Sequence, residues 1–204
     1  MNTVVKNEVT CKLTEKRSIF ISYLKKINSE EEAIEFINHI KSKNHDAKHN
    51  VYAYSVNDSK ILKYSDDGEP AKTAGAPILD LLTKNELTDV VIVVTRYFGG
   101  ILLGTGGLVR AYSGCAKLAL DEAGIEKREP CIRADISCLY ENYEKIRNLI
   151  YCCEGKVIDT TFAENVRVSF CIHEDNWDKF ISQLNNITLG NNCIENVCNS
   201  FFNT

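Results

Sequence analysis

The residues able to do chemistry are concentrated between Ser65 and Tyr112. Asp66, Asp67 and Glu69 fall in the stretch Ser65-Asp66-Asp67-Gly68-Glu69-Pro70. Asp-Gly is turn chemistry, because glycine tolerates φ > 0 and the aspartate side chain can bond nearby backbone N–H groups. Carboxylates this close repel one another unless something offsets their charge. Three offsets are open: a metal ion such as Mg²⁺ on Asp66, Asp67 and Glu69, the ammonium of Lys72, or the positive end of a following helix. The competing reading is a solvated turn with Thr73 as helix N-cap.

Arg96-Tyr97-Phe98-Gly99-Gly100 and Gly104-Thr105-Gly106-Gly107 form a second cluster, with Arg110 close behind. A glycine-rich loop between a buried strand and a helix can aim several backbone N–H groups at one anion. Arg96 and Arg110 could clamp a phosphate or carboxylate, and Tyr97, Phe98 and Tyr112 could offer aromatic faces to a base or a peptide side chain. No Gly-Lys-Ser/Thr follows at Walker spacing, and the third glycine of a dinucleotide fingerprint is absent. Glycines also serve where backbone segments must pack closely, so anion binding and packing both stand.

The elements that must position these groups follow from periodicity. Val90–Thr95 is a continuous apolar, β-branched run, the pattern of a strand buried on both faces. A helix is expected from near Thr73 through Ala76, Ile78, Leu79 and Leu82, and another from Leu108 to Gly124, with Gly124 as C-cap. Upstream, Val4–Leu13 and Ser18–Ile27 read as strands joined near Glu15-Lys16-Arg17. Ser29 and Glu32 make a capping box for a helix whose apolar face is Ile34, Ile37 and Ile40. After a polar loop from Lys43 to Lys48, His49–Val56 and Lys60–Ser65 read as a hairpin through Asn57-Asp58-Ser59. His49, at a strand start, serves either a structural role or as a group that changes charge near neutral pH. The charged stretch Glu126–Pro130 marks a domain boundary. Beyond it come strand 131–138, helix 140–152, strands 156–162 and 166–173, helix 176–189 and strand 193–199, with Trp177 and Phe180 packed against the sheet. That β-α-β-β-α-β order is the ferredoxin-like split unit.

Taken together, SDDGEP, TAG-PIL and TRYFGGILLGTGGLVRAY resemble the IMPACT family, including the bacterial YigZ-like proteins. His49-Asn50-x-Tyr52-Ala53-Tyr54 is similar to the family's upstream His-containing strand. The resemblance is strong over residues 1–128 and weaker beyond. It implies an α+β protein in two domains: 1–128 with the ribosomal-protein-S5-domain-2-like fold, and a ferredoxin-like domain, 131–204, similar to a module of translation elongation factors. It further implies a role in translational regulation; the eukaryotic members bind a regulator of a stress kinase. At Lys72 the family more often has glycine or another small residue, and the lysine sets a cation beside the acidic turn.

Composition narrows the classes. The chain has 204 residues, 25% charged and 44% hydrophobic, the profile of a globular protein of two domains. No apolar run approaches the ~20 residues of a membrane span. MNTVVKNEVTCK is not a secretory leader, so a cytoplasmic location is expected. Nine cysteines with no C-x-x-C pair read as buried reduced thiols. Residues 1–129 hold 18 Lys+Arg and 18 Asp+Glu, whereas residues 130–204 hold 6 and 10. That acidic balance disfavours nucleic-acid binding by the C-terminal part, because phosphate contact draws its affinity from basic residues. The leading function is a translation-associated regulator binding RNA, a nucleotide or a protein of the translation machinery through the SDDGEP turn and the glycine loop. The alternatives are a metal-dependent hydrolase or transferase acting on a phosphate-containing substrate, with His49 or Lys72 moving protons, and a scaffold whose acidic C-terminal domain docks a basic partner.

Overall fold

Val90 to Val94 are all inaccessible to solvent, and the strand they form, β6 (Val90–Tyr97), is the middle of a five-stranded antiparallel sheet. A computed structural model describes residues 2–56, 60–188 and 193–203. Around β6 lie β2 (Val9–Glu15), β3 (Ser18–Lys26), β4 (His49–Val56) and β5 (Ile61–Ser65), in the order β2-β3-β6-β4-β5. The expected hairpin turn Asn57-Asp58-Ser59 lies outside the described residues.

Both faces of this sheet are covered, which is why β6 shows no polar alternation. Helices α2 (Gly75–Lys84) and α3 (Thr105–Ala123) pack on one face through Ile78, Leu82, Leu108, Tyr112, Ala116 and Ala119, against Phe20, Leu24, Val90, Ile92 and Val94. Helix α1 (Glu30–Lys43) packs on the other through Ala33, Ile37 and Ile40, against Tyr23, Tyr54, Val91 and Val93. The expected capping box forms in half: Ser29 Oγ accepts from the Glu32 N–H, but the Glu32 carboxylate accepts from the N–H of Asn28, one residue before the cap. Ile34 is 46% exposed and does not belong to the buried face, which runs through Ala33 instead.

Two other expectations shift. Val4–Leu13 is not one strand but β1 (Asn2–Val5) and β2, parted at Lys6–Glu8. There the chain turns to satisfy the end of α3: the Lys6 N–H donates to Gly124 O and Asn7 Nδ2 to Ala123 O. The strand expected at 131–138 begins earlier: β7 (Ile125–Cys138) takes in the charged stretch Glu126–Pro130, within which the two units still divide, because its partner strand reaches far enough to pair Pro130 with Phe201 and Arg128 with Asn203.

The chain divides into two compact units, Asn2–Lys127 and the described residues from Arg128 onward. The second contains β7, α4 (Tyr140–Cys152), β8 (Lys156–Phe162), β9 (Val166–His173), α5 (Trp177–Thr188) and β10 (Cys193–Asn203). Its antiparallel pairings give the order β10-β7-β9-β8, the ferredoxin-like arrangement. Phe180 sits 5.1 Å from Phe170 and 5.8 Å from Trp177, so both α5 aromatics are core as expected. The fold is thus α+β, an S5-domain-2-like unit followed by a ferredoxin-like one. Cys115, Cys131, Cys138, Cys153 and Cys171 are buried free thiols, while Cys152 and Cys198 are exposed. Burial raises the pKa of all five buried thiols, Cys131 to about 11.

Candidate functional site

Strand parity decides which sequence candidates meet. Arg96 has the parity of Val90, Ile92 and Val94 and faces α2 and α3; Tyr97 has the parity of Val91 and Val93 and faces α1. Tyr97 accordingly donates its hydroxyl to Asp46 Oδ1 at 3.1 Å, on the other side of the sheet. It cannot stack on a ligand held by Arg96, and its place in the expected aromatic set is corrected. Antiparallel register sets His49 of β4 and Phe20 of β3 directly across from Arg96. The guanidinium carbon lies 5.6 Å from the ring centres of both Phe20 and Phe98.

The acidic turn distributes its three carboxylates among three different partner groups. Asp66 accepts from the N–H groups of Lys72 at 2.8 Å, Ala74 at 3.0 Å and Gly75 at 2.8 Å. It therefore caps α2 from outside the local sequence. Thr73, expected as the cap, turns its hydroxyl back to Pro70 O at 2.6 Å. Asp67 accepts from Lys41 Nζ and the Asn50 N–H, each at 2.7 Å. Burial opposes its ionisation, but Lys41 and that N–H outweigh burial and hold the carboxyl below the usual range. Glu69 Oε1 accepts from Arg96 Nη1 at 2.6 Å and Tyr112 Oη at 2.8 Å, with His49 Nε2 3.8 Å away. Burial, then the Glu69 charge, push the Tyr112 phenol far above its ordinary pKa. Asp66, Asp67 and Glu69 thus point to three places, and among the described residues no three His, Cys, Asp or Glu side chains converge as a metal-ligand set.

Glu69 and Arg96, with side chains 4% and 7% exposed, join the acidic turn to the end of β6. Beside them opens a cavity of about 480 Å³. Its walls are Gly68, Glu69 and Pro70 from the turn, Lys48 and His49 from the start of β4, Arg96 and Phe98 from β6 and its exit, and Leu102, Leu103, Gly104, Thr105 and Leu108 from the loop and first turn of α3. The turn and the glycine loop do face each other across one cleft. His49 Nδ1 is 2.8 Å from Asp67 O. A carbonyl only accepts, so Nδ1 carries a proton, and Nε2 is the ring nitrogen left facing Glu69.

The remaining candidates sort by geometry. Gly104 (φ 70) and Thr105 reach the cavity; Gly104 starts α3 with no side-chain cap, and the first turn carries no acidic residue. Gly99 answers to packing: a Cβ there would lie 2.0 Å from the Arg17 carbonyl carbon. Gly100 adopts φ 83, a turn requirement, and a Cβ at Gly107 would press on Leu103 at 3.2 Å. Gly106 meets only Arg110 Nη1 at 4.0 Å. Arg110, exposed on α3, is not among the cavity walls, so the two-arginine clamp is not assembled. Lys72 stands at φ 62, where glycine is unstrained, and meets the turn through its backbone N–H rather than its ammonium.

Sequence reasoning missed Lys48, Leu102 and Leu103 as walls, and Lys41 and Asn50 as the partners of Asp67. Leu102, 83% exposed between two glycine pairs, carried the one available signal, since an apolar side chain on a loop tip has nothing local to cover it.

The chain matches the family model described as Impact N-terminal domain over residues 16–120 and a domain of unknown function (DUF1949) over residues 136–191. It is 37% identical over 180 residues to IMPACT family member YvyE of Bacillus subtilis, covering 88% of this chain and 83% of that one. It is 34% identical over 178 residues to IMPACT family member YigZ of Escherichia coli, covering 86% and 87%. A crystal structure of a hypothetical protein aligns with a TM-score of 0.63 at 32% identity, over 95% of this chain and 97% of the other.

Proposed function

This chain belongs to the IMPACT family, and from that premise we propose that it is a translation-associated regulatory protein that works by binding, not by turnover. Its ligand is RNA, a nucleotide or a protein of the translation machinery. The cleft between the acidic turn and the glycine loop holds an anionic group of that ligand. One observation carries the reading: the Glu69–Arg96 pair draws two sequence-distant motifs into a single walled cavity that opens on the start of α3. In this reading residues 1–128 form the IMPACT-type binding domain and residues 131–204 the module resembling an elongation factor. The setting is the cytoplasm, in keeping with the free thiols. No helix among the described residues is long and apolar enough to cross a membrane.

The test is cosedimentation with ribosomes and with translation extracts, comparing wild type with Lys48→Glu, which reverses a charge at the cavity wall. Retention of the wild type that weakens with salt and falls for Lys48→Glu supports the reading. Equal, salt-insensitive behaviour of both proteins removes it.

A further inference from the structure

The cavity is lined by three chemically different sets of groups, and together they specify a ligand. His49 Nε2 and the Glu69 carboxylate beside it offer polar partners. The uncapped start of α3 at Gly104 and Thr105 also lines the cavity, and there backbone N–H groups and the helix dipole favour an anion. The helix end does not stand alone. Arg96 lines the same cavity, is almost wholly buried, and has its Nε buried without a hydrogen-bond partner. Phe98, 46% exposed, lines the same cavity, with Lys48 Nζ 5.8 Å and the Arg96 guanidinium carbon 5.6 Å from its ring centre.

Charge limits the anion. Apart from His49, the charged cavity walls are Lys48, Arg96 and Glu69, two cations and one carboxylate. That suits a single phosphate group and gives a polyphosphate or a nucleic-acid backbone no matching row of cations. The volume lies within the ordinary range for a small-molecule site, about 300–1,000 Å³.

We infer that the cleft is a nucleoside monophosphate site. The phosphate lies at the Gly104–Thr105 start of α3, the base stacks on Phe98, and the sugar hydroxyls hydrogen-bond to His49 Nε2 and Glu69. This rests on the reading of the cleft as the binding site and narrows it to one ligand class.

The experiment is calorimetric titration of the full chain with the common nucleoside monophosphates, the parent nucleosides, inorganic phosphate, nucleoside triphosphates and a single-stranded oligonucleotide. At least one monophosphate should saturate a single site about tenfold or more tighter than its nucleoside or phosphate alone, and no weaker than its triphosphate. Removing the stacking face with Phe98→Ala should weaken it by about tenfold, the equivalent of one base–aromatic stack. Thr105→Glu keeps the fold, since an acidic residue suits a helix N-terminus, yet sets a like charge where the phosphate would lie. It should abolish the advantage of nucleotide over nucleoside. Arg110→Ala, off the cavity, should change nothing. Absence of saturation by every monophosphate, equal affinity for nucleoside and nucleotide, or indifference to both Phe98→Ala and Thr105→Glu overturns the inference. Saturation by the oligonucleotide alone, lost in Thr105→Glu, refutes the mononucleotide assignment while leaving the cleft as the binding site. Monophosphate binding without ribosome association separates the two claims in the other direction.

Discussion

Asp66 is the residue at which a structural and a ligand-binding role part most sharply. Its carboxylate accepts from three backbone N–H groups, two of them at the start of α2. Replacing a capping side chain by alanine costs about 0.5–2 kcal/mol, and loss of the favourable charge at the helix start adds about 0.3–1 kcal/mol. Bonds to a charged acceptor are individually worth about 1.5–3 kcal/mol. The three do not sum at full value, because the half-exposed turn returns some donors to water. Asp66→Ala is therefore expected to destabilise by about 2–3 kcal/mol. Asp66→Asn is milder, at about 1–2 kcal/mol, since one oxygen still accepts from Ala74 and Gly75 while the new NH₂ meets the Lys72 N–H donor to donor. Urea unfolding followed by far-ultraviolet circular dichroism reads this as a lower midpoint with the slope unchanged. Hydrogen exchange should show faster labelling across Gly75–Lys84. Unchanged midpoint and exchange in Asp66→Ala, with ligand binding lost, would refute the capping argument and make Asp66 a ligand group.

Four further outcomes follow from the same geometry. Glu69→Gln leaves the buried Arg96 charge without its counter-ion and should cost about 3–5 kcal/mol, read as a lowered melting temperature or failure to fold. Gly99→Ala forces a methyl group into the Arg17 backbone and should destabilise by about 1–3 kcal/mol or more, with the β3–β6 amides losing exchange protection. Lys72→Gly relieves a left-handed backbone and should be neutral to stabilising by up to about 1 kcal/mol in thermal unfolding, leaving ligand affinity unchanged. In acid, Ser169, Asn196 and Arg167 hold Asp135 at about 2 against an ordinary 3.8, and Asp67 is also lowered. Both then contribute stability that is present above the unfolded value and is lost as pH falls through the folded one. Unfolding midpoints between pH 4 and pH 2 should flatten in Asp135→Asn.

How far the sequence could be read depended on whether the deciding contact was local. The double-sided burial of Val90–Thr95, the Ser29 N-cap and the second, βαββαβ unit are all local or periodic signals, and each formed as expected. The face of β6 was also legible: Arg96 and Tyr97 are neighbours and must point to opposite sides, so they could not share a ligand. The carboxylates were not legible. Their spacing suggested one shared charge, but their partners come from α1, β4, β6 and α3, and only tertiary structure assigns Asp67 to Lys41 or Glu69 to Arg96 and Tyr112. Gly99 reads the same in sequence whether it admits a phosphate or a neighbouring backbone, and the approach of Arg17 decides it.

The thiols allow the folded state to be timed from within. Cys152 and Cys198 lie open to an alkylating reagent, whereas Cys115 in the first unit and Cys131, Cys138, Cys153 and Cys171 in the second are enclosed and held protonated. Each enclosed sulfur gains reagent mass only when its surroundings part. A mass spectrum taken along a labelling course would thus count the openings of each half of the chain separately, with no residue changed.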